Sequence, residues 1–178
     1  HKEEIVKNLC EFVQIPSVAE FGAEGYPYGP QCARALDFCA RLCREKGLDT
    51  VNHDYRCLEV RPPQPSQGRR LVIASHADVV PADKDNLYPP FGGTVQGDYI
   101  VGRGVVDDKG PLMATLYALA FFQEKQIPLK NDIRLVFGSN EERGMDDMAY
   151  YLEKVGQPDL GLAVDDDFPV TNGEKGQI

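Results

Sequence analysis

A layered α/β fold is what this sequence predicts, on two observations. Helical and strand-like apolar periodicities interleave along the chain, and several of the apolar segments are too short for helices and suit a buried sheet. The length of 178 residues suits one domain with a substantial core. No internal repeat, linker or low-complexity stretch divides it.

The elements follow in order. Ile5, Val6, Leu9, Phe12 and Val13 give residues 3–14 a helical stripe, which Pro16 ends. After a Gly/Pro/Tyr loop (Phe21 to Pro30), a second helix runs from Gln31 to Lys46, with Leu36, Cys39, Ala40, Leu42 and Cys43 on its apolar side and Gly47 as C-cap. Strands are predicted over Thr50–His53 and Arg56–Val60, and over Leu71–Ser75 after the turn-rich segment 62–68. Thr94–Val101, broken at Gln96-Gly97-Asp98, predicts a hairpin. A third helix is expected from Lys109 to Lys125, then an apolar strand Asp132–Gly138, a helix Met145–Val155 and a short buried strand Leu160–Val164.

Composition excludes several partners. The formal charge of −9 argues against nucleic acid, which needs a basic face, and against an anionic membrane surface. No apolar run approaches the roughly 20 residues of a membrane span. The charged start His1-Lys2-Glu3-Glu4 does not suit a secretory signal, and the missing initiator Met points to a piece of a longer or processed chain. The cysteines (Cys10, Cys32, Cys39, Cys43, Cys57) are odd in number and form no CxxC pair. They are expected to be buried, reduced thiols of a cytoplasmic protein.

Polar residues fall where the apolar segments end. The segment 71–75 runs into His76-Ala77-Asp78, 100–106 into Asp107-Asp108-Lys109-Gly110, 133–140 into Glu141-Glu142, and 160–164 into Asp165-Asp166-Asp167. Each cluster has an ordinary reading. The first fits a capped strand end, the second a charged helix N-terminus, the third a solvated loop. The fourth is not an EF-hand loop, since Val170 stands where glycine is required. Gly102-Arg103-Gly104 is not a dinucleotide fingerprint, because Asp107 replaces the third glycine. Yet ligand sites of open α/β sheets lie beyond strand carboxyl ends, and converging carboxylates repel unless protonated or bound to a cation. One His with Asp and Glu is a ligand set for zinc, cobalt or manganese.

These motifs carry a resemblance. His76-Ala77-Asp78-Val79-Val80-Pro81, the stretch from Gly102 to Gly110, Glu141-Glu142 and Asp165 resemble, in order, the two-zinc amidohydrolase family of aminoacylases, carnosinases and succinyl-diaminopimelate desuccinylases. Asp-Asp-Lys-Gly-Pro (107–111), Asp165 with Phe168-Pro169-Val170, and Gly173-Glu174-Lys175-Gly176 look most like its dipeptidase-V-type branch. The resemblance implies a zinc-exopeptidase-like domain with a central mixed sheet flanked by helices. It implies that His76 and Asp165 hold one Zn2+, that Asp107 bridges, and that Glu142 holds the second, with Co2+ or Mn2+ as substitutes. Glu141 would be the general base of amide hydrolysis by metal-activated water, and Asp78 would orient the His76 imidazole. A cis peptide between Asp107 and Asp108 is implied as well. The substrate would be a dipeptide or other small peptide, with an N-acyl amino acid (deacylase or desuccinylase) as the alternative and a non-catalytic metal-binding fragment as another.

The chain also departs from that family. The family's fifth ligand is a His from near the end of a longer chain, whereas the other histidines here are His1 and His53, both outside the motifs. A lid domain follows the position of Gly173–Gly176 in the family. Residues 1–178 are therefore expected to be the N-terminal part of a catalytic domain, without lid and closing segment. Such a chain should be inactive or severely impaired and prone to self-association through surface that the complete enzyme buries. Ala82-Asp83 follows Pro81 where many relatives soon have Gly, and no Trp precedes Pro90-Phe91, where Leu87 and Tyr88 stand.

Overall fold

The structure, a computed structural model, describes residues 1–64, 66–83 and 85–165. Asp166, Asp167, the Phe168-Pro169-Val170 motif and Gly173–Gly176 lie outside the described residues. The chain folds as α1 (Lys2–Val13), α2 (Pro30–Glu45), β1 (Asp49–His53), β2 (Cys57–Arg61), β3 (Arg70–His76), β4 (Thr94–Gln96), β5 (Tyr99–Val101), α3 (Lys109–Glu124), β6 (Asp132–Gly138), α4 (Asp146–Val155) and β7 (Leu160–Ala163), with a 3-10 turn at Glu141–Arg143 before α4.

Five strands form one mixed sheet in the order β1-β2-β6-β3-β7. The β1–β2 and β2–β6 pairs are antiparallel, whereas β3 runs parallel to both β6 and β7. β4 and β5 make the separate hairpin expected from the sequence, turning at Gly97 with φ +59°. The mixed sheet with flanking helices agrees with the expected fold class, but β7 is an exposed edge strand rather than the buried one expected, because it pairs with β3 alone.

Side-chain alternation along the strands builds a core on each face. Leu58 and Val60 of β2, with Leu135 and Phe137 of β6, join α1, α2 and α3 in the larger core. Their neighbours Cys57 and Val136 point the other way and pack with Val72, Tyr151, Met148 and Leu152 beneath α4. Helices thus cover both faces of the central strands, β2 and β6. All five cysteines are free thiols, and all but Cys10 are buried.

Local chemistry sets the element ends. α2 starts at Pro30, one residue before the sequence expectation, because proline suits the first helical position, where its missing N–H leaves no bond unmade. The β1–β2 connection turns through Asp54 and Tyr55, both at φ 55°. The break falls where the expected strands 50–53 and 56–60 leave it, although asparagine or glycine more often occupies such a turn. Among the described residues no helix is long and apolar enough to cross a membrane.

The parallel arrangement of β3, β6 and β7 positions the site. Their carboxyl ends lie along one edge, with His76 opposite Gly138 in register and Ala74 opposite Ala163. The residues that follow β6 and β7 therefore emerge beside His76.

Candidate metal centre

His76 ends β3 and is buried, 2% exposed. Its Nδ1 lies 3.0 Å from the backbone oxygen of Asp78 and 3.4 Å from that residue's Oδ1. That partnership leaves Nε2 facing the carboxylates. Asp107 Oδ1 stands 3.0 Å from Nε2, Asp165 Oδ2 3.3 Å and Glu141 Oε2 3.9 Å. None of them meets it in hydrogen-bond alignment, so Nε2 is a buried nitrogen without a hydrogen-bond partner. A ring nitrogen left open in this way, ringed by oxygen donors, fits a divalent cation better than it fits a hydrogen-bond network.

Two groups of side chains bring one ligand atom each within 4.8 Å of one another. They are His76 with Asp107 and Glu142, and His76 with Asp108 and Asp165. The structure therefore gathers every residue the motifs singled out: His76, Asp78, Asp107, Glu141, Glu142 and Asp165. It also adds Asp108, which sequence reasoning left as charge at a helix start. The Asp107–Asp108 peptide is cis. Asp108 is fully buried, its Oδ2 accepts the His76 backbone N–H at 3.0 Å, and its Oδ1 has no hydrogen-bond partner. The only signal for it in the sequence was its place between Asp107 and Lys109.

Asp78 does more than face the imidazole. Its carboxylate is wholly buried and accepts the backbone N–H of Glu141 on Oδ1 (3.1 Å) and of Glu142 on Oδ2 (3.2 Å). One side chain thus ties the end of β3 to the turn that carries both glutamates. The other histidines stay away from the cluster. His1 pairs with Glu124 at 3.0 Å, and His53 packs edge-on to Tyr151 at 5.4 Å.

The electrostatics follow from crowding carboxylates around one imidazole. Burial works against charge on His76, but the Asp78 side chain and the Asp108 and Asp165 charges outweigh it and raise its pKa to about 10. Burial pushes Asp108 up to about 8 against the pull of the His76 N–H. Glu141 and Glu142 are also raised, first by burial and then by neighbouring carboxylates. A field that makes an imidazole this basic equally attracts a divalent cation.

Lys109 supports the cluster from below. Its fully buried Nζ donates to the carbonyls of Phe12 (3.2 Å) and Ile15 (2.7 Å), and burial draws its pKa down to about 8. The amine caps the end of α1 and fixes α3, whose first turn follows Asp107 and Asp108.

Comparison with known proteins agrees with this arrangement. Residues 72–176 match the model of peptidase family M20/M25/M40. YtjP of Bacillus subtilis, provisionally named a dipeptidase, is 31% identical over 99% of this chain and 38% of its own length. Human carnosine dipeptidase 1 superposes with a TM-score of 0.79 at 22% identity, over 93% of this chain and 39% of that one. The metallo-carboxypeptidase Sso-CP2 of Sulfolobus solfataricus gives 0.75 at 24% identity, over 90% and 37%. The chain thus spans well under half the length of these relatives. With its family-model match covering more than half its residues, and its histidine and carboxylates gathered at one sheet edge, the chain belongs to peptidase family M20/M25/M40.

Proposed function

We propose that this chain carries most of the metal centre of a zinc-dependent dipeptidase, in which a dinuclear site hydrolyses the amide bond of a dipeptide. The observation that carries the reading is the buried Nε2 of His76, which has no aligned hydrogen bond yet lies among carboxylate oxygens of Asp107, Glu141 and Asp165. His76, Asp107, Glu142 and Asp165 would hold the metal. Divalent ions bound there supply Lewis-acid polarisation of an amide carbonyl and lower the pKa of water. Glu141 serves as the general base. Its carboxylate takes a proton from the attacking water and delivers it to the leaving amine, a task suited to a carboxyl whose pKa is raised. Asp78 orients the His76 ring and holds the backbone of the two glutamates. The dipeptide substrate is supported by the designation of YtjP and by the fold shared with carnosine dipeptidase 1.

Zinc titration of the 178-residue chain, followed by calorimetry, tests the centre. Weak or substoichiometric binding is expected, because the family's additional histidine ligand is not among His1, His53 and His76. No binding would overturn the metal reading, and two tightly bound ions would overturn the reading of an incomplete site. The chain alone should hydrolyse dipeptides very slowly or not at all. A protein of the relatives' full length should favour dipeptides over N-acyl amino acids.

A further inference from the structure

Asp147, in the first turn of α4, has no role in the ligand set, yet it is 1% exposed. Its Oδ1 accepts the N–H of Met148 in its own helix at 2.7 Å. Its Oδ2 is committed elsewhere, to the backbone N–H groups of Ser139 (2.7 Å) and Asn140 (2.9 Å). The next two amides in the chain, those of Glu141 and Glu142, go to the carboxylate of Asp78. Four consecutive N–H groups are thus aimed at two buried carboxylates, one on each side of the turn. A carboxylate accepting several amides is a stiff, charge-assisted anchor.

The backbone has been shaped around Asp147. A Cβ on Gly138 would stand 2.4 Å from its Oδ2, closer than side chains approach, so glycine at the end of β6 keeps the space that the carboxylate fills. A third contact holds the same turn. Ser139 Oγ donates to the carbonyl of Arg56 at 2.8 Å, beside the β1–β2 turn.

We infer that Asp147 is a positioning residue of the metal centre, fixing through the Ser139 and Asn140 amides the turn that presents Glu141 and Glu142 to His76. This rests on the proposed metal centre. An acidic side chain is needed because an amide in its place presents one acceptor oxygen and turns an N–H donor toward backbone donors. Helix α4 thereby becomes the support of the two glutamates, although none of its own residues is among the proposed ligands.

The test uses the 178-residue chain, amide hydrogen exchange and Co2+, whose visible absorption reports ligand geometry. In the wild type, the amides of residues 139–142 should exchange far more slowly than exposed loop amides. Asp147→Asn should speed exchange at 139–142 while leaving β3 and β6 protected. It should also weaken Co2+ binding about tenfold and alter the absorption bands, as expected on loss of a group that orients metal ligands. Gly138→Ala, which displaces the same carboxylate, should do likewise with Asp147 intact. Tyr151→Phe, in the same helix, should lower the unfolding temperature yet leave Co2+ affinity and exchange at 139–142 unchanged. Unaltered Co2+ affinity and bands in folded Asp147→Asn would overturn the assignment. If neither variant folds, the wild-type exchange decides, and loop-like exchange at Ser139 and Asn140 overturns it. A wild-type chain that takes up no Co2+ would bring down the metal reading, and the Asp147 anchor would then stand or fall on exchange alone.

Discussion

Glu59 on β2 and His76 on β3 are both buried ionisable side chains of the same sheet, each 2% exposed, but their surroundings differ in kind. Glu59 accepts hydrogen bonds from Arg134 at 3.2 and 3.3 Å and from the Tyr151 hydroxyl at 2.8 Å, while Arg134 also binds Asp132. Opposite charges and donors answer one another there, and the cluster needs nothing from outside. Around His76 the ion pairs go to Asp78, Asp107, Glu141 and Asp165. Among the described residues no lysine or arginine pairs with Asp78, Asp107, Asp108, Glu141 or Glu142. Burial therefore does not separate the two clusters, whereas a lysine or arginine partner does.

The sharpest separation comes from catalysis. In a protein of the relatives' full length, Glu141→Ala should lower kcat for a dipeptide by about 10²- to 10⁴-fold while zinc content, read by metal analysis, stays near normal. Lost zinc with retained hydrolysis would reverse the roles given to Glu141 and Glu142. Next is the balanced cluster, where Arg134→Met leaves the buried Glu59 with only the more distant Arg61 guanidinium, 3.8 Å away and partly exposed, as a cation. Urea unfolding should show a loss of about 3–5 kcal/mol, and adding Glu59→Leu should recover much of it. A loss under ~1 kcal/mol would mean that Tyr151 and Arg61 suffice for Glu59.

The unbalanced cluster should respond in the opposite sense. In metal-free chain, Asp107→Asn should leave the unfolding temperature unchanged or slightly raised, because it removes one carboxylate from a crowd of them. The stabilisation that Zn2+ gives, which follows ligand occupancy, should shrink in the same variant. A clear drop in metal-free stability would show that Asp107 is a structural partner of His76. The smallest effect concerns His53, whose pKa is lowered below 6.5, first by burial and then by Lys154, against the pull of Glu59 and Asp54. The unfolded chain then binds the extra proton more readily, so this residue's contribution is complete above pH 6.5 and is lost as pH falls through the lowered folded value. His53→Gln should flatten that part of the pH–stability curve relative to the wild type. Equal slopes in both proteins would remove His53 as the cause.

Much of this arrangement could be read from the sequence because its signals are local. β6 spans Asp132–Gly138 and α3 starts at Lys109 as the apolar periodicity indicates, and the polar residues after β3, β6 and β7 converge because those strands are parallel neighbours. Asp107 and Asp108 do not end a strand of that sheet as expected, but come from the turns between the β4–β5 hairpin and α3. What stayed illegible depends on distant partners. Lys109 gave no sign that its acceptors would be Phe12 and Ile15. Asp147 drew no notice in the sequence, since nothing in its neighbourhood indicates that the turn after β6 folds back onto it. The break between β1 and β2 was legible from the strand bounds, but the positive φ of Asp54 and Tyr55 was not, because neither is the glycine or asparagine that usually announces it.

The hold of Lys109 on α1 bears on where this unit of structure begins. The family match starts at residue 72, but the carbonyls that receive the lysine lie at residues 12 and 15. A chain trimmed to the matched stretch would strand an amine inside an apolar layer and uncover Leu112, Met113 and Leu116, which pack in the core that α1 shares. The helix farthest in sequence from Asp165 is thus part of the footing on which Asp107 and Asp108 stand. A piece of this chain that keeps that footing has to include α1.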